Sequence, residues 1–234
     1  MVMTDGLWVY LATSPLLWLA GTLAVWIAAT SIAKLSPGNA LLNPIMLSIG
    51  AISVILTVIG VEYRTYFAGA QFIHFLLGPA TVALGIPLYE KLALVKSNLL
   101  PLICALVAGS LTAVGATVYL AHLFGFAPDV VASLAPKSTT AAVAMAISSG
   151  LQGDPALTAA VVVLTGICGA IVVTPMMNAM RIKDYSARGF AVGLASHGIG
   201  TARAYSVDPV AGLFSGIAMG LNAVLTSLIV HLFL

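Results

Sequence analysis

Charge spacing constrains this chain more than any other feature. No Asp, Glu, Lys or Arg falls between Asp5 and Lys34, Lys34 and Glu62, Arg64 and Glu90, Lys96 and Asp129, or Asp154 and Arg181, and none follows Asp208. About 20 mostly apolar residues cross a bilayer as a helix, and each of these six runs is longer than that. Charged residues make up 7% of the chain and hydrophobic ones 61%, whereas soluble domains carry about 25% charge. Such a chain cannot cover a soluble core with polar surface. That excludes a soluble enzyme, a nucleic-acid binder and a disordered tail. The short alternating strands of a membrane barrel are missing too. The expected fold is an all-α polytopic membrane protein, with no enzymatic role.

Eight hydrophobic segments are predicted, near 8–33, 41–60, 66–88, 98–125, 131–150, 155–180, 189–204 and 209–234. The N-terminus lacks a basic n-region, and its first apolar run is too long for a signal-peptide core, so it reads as a retained span. Loops are short, which makes residues 1–234 one transmembrane domain. Two segments depart from plain spans. Segment 131–150 opens on Pro136, Lys137, Ser138, Thr139 and Thr140, and segment 189–204 carries Ser196, His197, Gly198, Gly200, Thr201 and Arg203. Both read as broken or re-entrant helices, because irregular backbone at membrane depth survives only inside protein or beside a wet cavity. If both turn back and the N-terminus is outside, then Lys34, Lys91, Lys96, Arg181, Lys183 and Arg188 face the cytoplasm and only Arg64 faces out. Crossing helices with unwound middles are the alternative. Leu42-Asn43-Pro44 pairs with Ala135-Pro136-Lys137, and Gly78-Pro79-Ala80-Thr81 pairs with Gly198-Ile199-Gly200-Thr201. These pairs suggest an inverted repeat, the usual frame of a transporter site.

Lys137 and Arg203 are the two cations furthest inside apolar sequence. A charge at membrane depth costs several kcal/mol unless solvated or paired. Ser138 is placed to cap a half-helix through Thr139 and Thr140, and a helix N-terminus beside a lysine makes an anion site. A lysine snorkelling to the lipid surface is the competing reading. The guanidinium of Arg203 matches a carboxylate bidentately, or else forms a surface pair with Asp208. His197, flanked by Ser196, can carry a proton or donate to an anion. His74, His122 and His231 stand alone in apolar runs and read as structural. Asn43 and Thr81, each beside a proline, are weaker ligand candidates, since capping explains them equally well. All the acidic residues sit at segment ends, which favours an anionic over a cationic substrate. Cys104 and Cys168 read as buried packing residues. No metal spacing, disulfide framework or cofactor motif is present. Gly212, Gly216 and Gly220 share one helix face, suited to packing within the chain or against a second subunit.

At these residues the chain resembles the LrgB/CidB family. The blocks are Leu41-Leu-Asn-Pro44, Leu76-Leu-Gly-Pro-Ala-Thr-Val-Ala-Leu84 with Pro87-Leu-Tyr89, Leu134-Ala-Pro-Lys-Ser138, Ala195-Ser-His-Gly-Ile-Gly-Thr-Ala-Arg203 and Gly212-Leu-Phe-Ser-Gly-Ile-Ala-Met-Gly220. The resemblance implies a multi-pass bacterial inner-membrane protein working with a small LrgA/CidA-like partner. Two functions follow from it. One is secondary transport of small monocarboxylates of the pyruvate, glycolate or glycerate type. The other is holin-like or antiholin-like control of murein hydrolase export and lysis. Three departures stand out. Thr139-Thr140-Ala141-Ala142 replaces Val-Thr-Thr-Pro, Glu62-Tyr63-Arg64 replaces Pro-Tyr-Glu, and Ala211 replaces a common Glu. The expected site joins Lys137 and Arg203 around one carboxylate. Ser138, Thr139, Thr140, Ser196 and Thr201 would donate hydrogen bonds there, with His197 as proton carrier. A homo-oligomer is expected.

Overall fold

The structure is a computed structural model that describes residues 14–35, 42, 44–76, 79, 89 and 92–234. Asn43 and Thr81 lie outside these, as does most of the block around Gly78 that suggested a repeat. The described residues form ten α-helices and no strand. Four helices are long and apolar enough to cross a membrane: α1 (Pro15–Lys34), α5 (Leu99–Leu123), α8 (Pro155–Ala179) and α10, which is Pro209–Ile229 and continues as a 3₁₀ turn to Leu232. The other six are α2 (Pro44–Ile59), α3 (Tyr63–Phe75), α4 (Leu92–Ser97), α6 (Pro128–Leu134), α7 (Ala141–Gly150) and α9 (Tyr185–Val207).

Helix boundaries follow local chemistry. Pro15, Pro44, Pro128, Pro155 and Pro209 each occupy the first helical position, where a missing N–H costs nothing. Asp154, Asp184 and Asp208 accept from the amides of Ala156, Ser186 and Val210 at 2.8, 2.9 and 2.8 Å. These aspartates, two of which (Asp154 and Asp208) border uncharged runs, are thus caps, satisfying orphan amides at helix N-termini.

The chain divides into two compact units, residues 1–85 and 86–234. In the first, Trp18 of α1 meets Tyr66 of α3 edge-on at 5.9 Å, and Thr22 donates to the Tyr66 hydroxyl.

The second unit holds two helical hairpins. Residues 135–140 are not helical, and Thr140 is extended (φ −64°, ψ 147°) just before α7. Val131 of α6 packs in one cluster with Ile147 of α7, although a straight helix would hold them about 24 Å apart. The chain therefore doubles back. Buried hydroxyls fix this base to the start of α8: Ser133 Oγ accepts from the Asp154 amide, and Thr158 Oγ1 lies 2.7 Å from Ser148 Oγ and 3.0 Å from Ser133 O. The break forms without the proline expected at position 142. Pro136 and the extended Thr140 carry it.

α9 doubles back at His197, whose φ of 42° and ψ of −136° are non-helical. Val192 and Ala204 share a cluster with Ala211, where a straight helix would part them by about 18 Å. Gly189 and Gly193 approach Ala211 and Ser215 of α10 in the same chain order, so the first half of α9 runs parallel to α10. In the second half Thr201 meets Ser215 and Tyr205 meets Gly212, in reverse order. The base of this hairpin packs on Val173 near the end of α8, while the first hairpin packs on its start. The two hairpins enter from opposite ends of one spanning helix.

Small residues set the spacing of α9 on α10. A Cβ at Gly189 would lie 2.0 Å from Ala211 O, and one at Gly193 2.0 Å from Ser215 O. Gly193→Ala should gain about 1 kcal/mol of helix propensity yet lose about 1–3 kcal/mol by overpacking. Thermal unfolding in detergent is expected to show a lower midpoint. Of the glycine face expected on α10, Gly212 packs inside the chain, against Tyr205, whereas a Cβ at Gly216 or Gly220 would meet no described atom within 4 Å. Gly216→Ala should hold the stability of the chain or raise it by about 1 kcal/mol through helix propensity, so a loss of stability would report a neighbour packed on that face beyond the described atoms. Cys104 and Cys168 are exposed, contrary to the packing role expected of them. In a bilayer the outward face is apolar too, so an apolar run does not mark burial.

Candidate functional site

The two hairpin tips meet on one side chain. Asn222, fully buried midway along α10, donates through Nδ2 to Ser138 O (3.2 Å) in the first break and to Leu194 O (3.1 Å) just before the second. Its Oδ1 accepts from Ser110 of α5 (2.6 Å) and from Thr226 (3.2 Å). All four hydrogen-bonding capacities of the amide are used. The carbonyl of Leu194 lies three residues before the turn at His197, so Asn222 ties α10 to the backbone beside that break.

His197 anchors its own tip. It is 4% exposed, and its Nε2–H donates to Val162 O on α8 at 2.9 Å. A non-glycine residue held at positive φ costs of order 1–3 kcal/mol, and that bond opposes the cost. Gly166 and Gly169 leave room for the tip: a Cβ at Gly166 would lie 2.7 Å from His197 Cε1, and one at Gly169 would strike Ser196 Oγ.

Beside the tips opens a cleft of ≈ 570 Å³. Lys137 and Ser138 line it from the first hairpin, Ser196 from the second, Thr165 from α8, and Thr112 and Thr117 from α5. Among the described residues, Lys137 is the only charged one in the lining. No described residue accepts a hydrogen bond from its ammonium or forms an ion pair with it. α7 begins three residues after Ser138, and the second half of α9 begins two after Ser196. At 3.8 Å per residue, the positive ends of two half-helices lie within roughly 12 Å of the cleft wall. Lysine, half-helix dipoles and hydroxyl donors together favour an anion of a few heavy atoms.

Other expected ligands fall elsewhere. Thr139 is buried and donates to Pro136 O at 3.0 Å. Thr140 is the residue before α7, with no side-chain cap bond. Thr201 donates to His197 O at 2.8 Å and lies 2.9 Å from Ser215 Oγ. Arg203 is not brought to Lys137. It lines a separate cleft with Arg188, Tyr185 and Thr174. Nor does Asp208 pair with it, since Asp208 caps α10. Asn222, Ser110 and Thr165 were not expected from the sequence. Asn222 had a signal, because an amide inside the uncharged run after Asp208 needs partners as much as a charge does.

Residues 22–234 match the LrgB-like family. The chain is 33% identical to the holin-like protein CidB of Staphylococcus epidermidis over 192 residues, which is 82% of this chain and 84% of that protein. CidB of Staphylococcus aureus is 31% identical over the same shares. The uncharacterized protein YxaC of Bacillus subtilis is 33% identical over 206 residues, 88% of this chain and 89% of its own. No solved structure matches.

Proposed function

This chain belongs to the LrgB-like family of multi-pass membrane proteins, and from that premise we propose that it is a secondary carrier of small monocarboxylates. One observation carries the reading: a half-buried, unpaired lysine lines a ≈ 570 Å³ cleft at the meeting point of two helix breaks. Broken helices whose ends meet at mid-depth are the usual setting of a transporter site. Here the two hairpins are re-entrant and their bases lie on opposite membrane faces. The carboxylate sits on Lys137, with Ser138, Ser196 and Thr165 as donors. His197 and Thr201 hold the second tip in place, and Arg203 takes no part in this pocket. An LrgA/CidA-like protein is the partner.

Reconstitution tests this. Proteoliposomes containing the chain, alone and with an LrgA-like protein, should take up labelled pyruvate or glycolate with saturation and mutual competition. The rival reading, a holin-like pore or its regulator, is favoured by the holin-like names of the staphylococcal relatives. It predicts unsaturable leakage of unrelated solutes such as sugars and dyes. Leakage without saturation would sink the carrier.

A further inference from the structure

At the base of the second hairpin two arginines, Arg188 and Arg203, line one small cleft. Its volume is ≈ 30 Å³, room for a few waters or one oxyanion group. Thr174 and Tyr185 are among the other lining residues, and no Asp or Glu among the described residues is. The two arginines lie in opposite halves of α9 and meet only because that helix turns back.

Each is prepared differently. Arg188 is fixed: Nε donates to Ile182 O at 2.6 Å, Nη2 donates to Asn178 Oδ1, and the guanidinium lies 5.8 Å from the Tyr185 ring centroid. Arg203 is unspent. Its Nε is out of solvent with no acceptor, and its described bond is a 3.4 Å contact from Nη1 to Ser206 Oγ. A buried donor left unmet costs about 1–3 kcal/mol, and two like charges in one partly buried cleft repel. A single oxyanion relieves both penalties, and guanidinium forks match its geometry.

The depth of the cleft indicates where that oxyanion comes from. Val173, Thr174 and Met177 are in the last two turns of α8, roughly 9 Å or less from its end at 1.5 Å per residue. Val207 and Ala211, at the α9–α10 junction, complete the wall. Three helix ends therefore meet at one face of this unit, beside the loop that carries Arg181 and Lys183. That is the level at which lipid phosphates lie, and basic pockets between spans on such a face bind anionic headgroups.

We infer that Arg188 and Arg203 form a phosphate-type oxyanion site at the membrane surface, filled by the headgroup of an anionic lipid. It is distinct from the Lys137 cleft and does not depend on the carrier reading. Native mass spectrometry of the full chain, released from micelles containing both phosphatidylglycerol and phosphatidylcholine, tests it. Wild type should retain phosphatidylglycerol selectively. Arg203→Gln and Arg188→Gln should each cut that retention roughly tenfold, equivalent to about 1.4 kcal/mol, while Lys137→Ala retains it fully. Arg203→Lys keeps stem and charge but loses the fork, and is expected to fall between. That variant keeps the series readable if a glutamine form does not fold. A second arm adds inorganic phosphate in lipid-free detergent. A rise in melting temperature with the same arginine dependence, without lipid selectivity, supports the site with a soluble ligand as its source. Equal lipid retention by wild type and both glutamine variants, with no response to phosphate, overturns it.

Discussion

Lys137→Ala is expected to lower Vmax/KM for carboxylate uptake by roughly 30- to 1,000-fold in proteoliposomes. The reasoning rests on what else the cleft contains. Its other described lining groups are neutral, so with the ammonium gone the carboxylate would enter a partly apolar site holding only hydroxyls and half-helix dipoles. Truncating one partner of a buried charge pair costs about 2–4 kcal/mol, and about 1.4 kcal/mol is a factor of ten. Lys137→Arg should retain part of the rate, since charge is kept while the point donor becomes a planar fork. Arg203→Ala, which alters the other cleft, should change uptake less than threefold. Stability should move the opposite way from activity. Lys137 has no described partner, so its removal relieves desolvation, and the melting temperature should hold or rise. Uptake by Lys137→Ala within twofold of wild type would remove the central residue of the carrier reading.

Asn222→Leu is expected to be the most damaging single change to the fold of the second unit. Leucine has a similar volume, so no large cavity opens. What is lost is the donor to Ser138 O and Leu194 O, two buried carbonyls in or beside the helix breaks. Each buried carbonyl left unmet costs about 1–3 kcal/mol, so the pair puts the loss at about 2–6 kcal/mol. Ser110 and Thr226 can turn their hydroxyls to carbonyls of their own helices, so they add little. Asn222→Asp separates the two halves of the amide. It keeps the acceptor for Ser110 and Thr226 but loses the donor, and it should lose uptake nearly as fully as leucine. Thermal unfolding and uptake measured on the same preparations check both. Wild-type melting of Asn222→Leu with normal uptake would show that the tips are held by something else.

Much of the architecture was legible in one dimension. Uncharged runs marked α1, α5, α8 and α10, and prolines and aspartates marked where helices begin. The interruptions around Pro136–Thr140 and Ser196–Gly198 were legible because polar, glycine and proline residues inside apolar sequence are expensive unless they serve a break. The Lys137–Ser138–Ser196 grouping came partly from this. Two things did not. Hydroxyl residues in the same runs gave no sign of which would face a cleft and which would bond their own backbone. Thr139 and Thr201 do the latter, and Ser138 lines the cleft. Asn222 carries no charge to mark it, yet a neutral amide can satisfy two broken helices at once.

The sequence alone determined that this chain lives in a bilayer, where its helices start and where two of them fail. Those are properties of short segments, fixed by the cost of placing charge or unpaired backbone in hydrocarbon. Tertiary structure decided what the failures are for. It folded α9 back so that Arg203 and Arg188 line one cleft, leaving Lys137 as the one charged residue among the described lining of the other. It also turned Cys104 and Cys168 outward. The reason is that a lipid-facing side and a protein-facing side are equally apolar, so hydrophobic pattern carries no sign of direction. Only backbone turns and buried hydrogen bonds choose which groups meet.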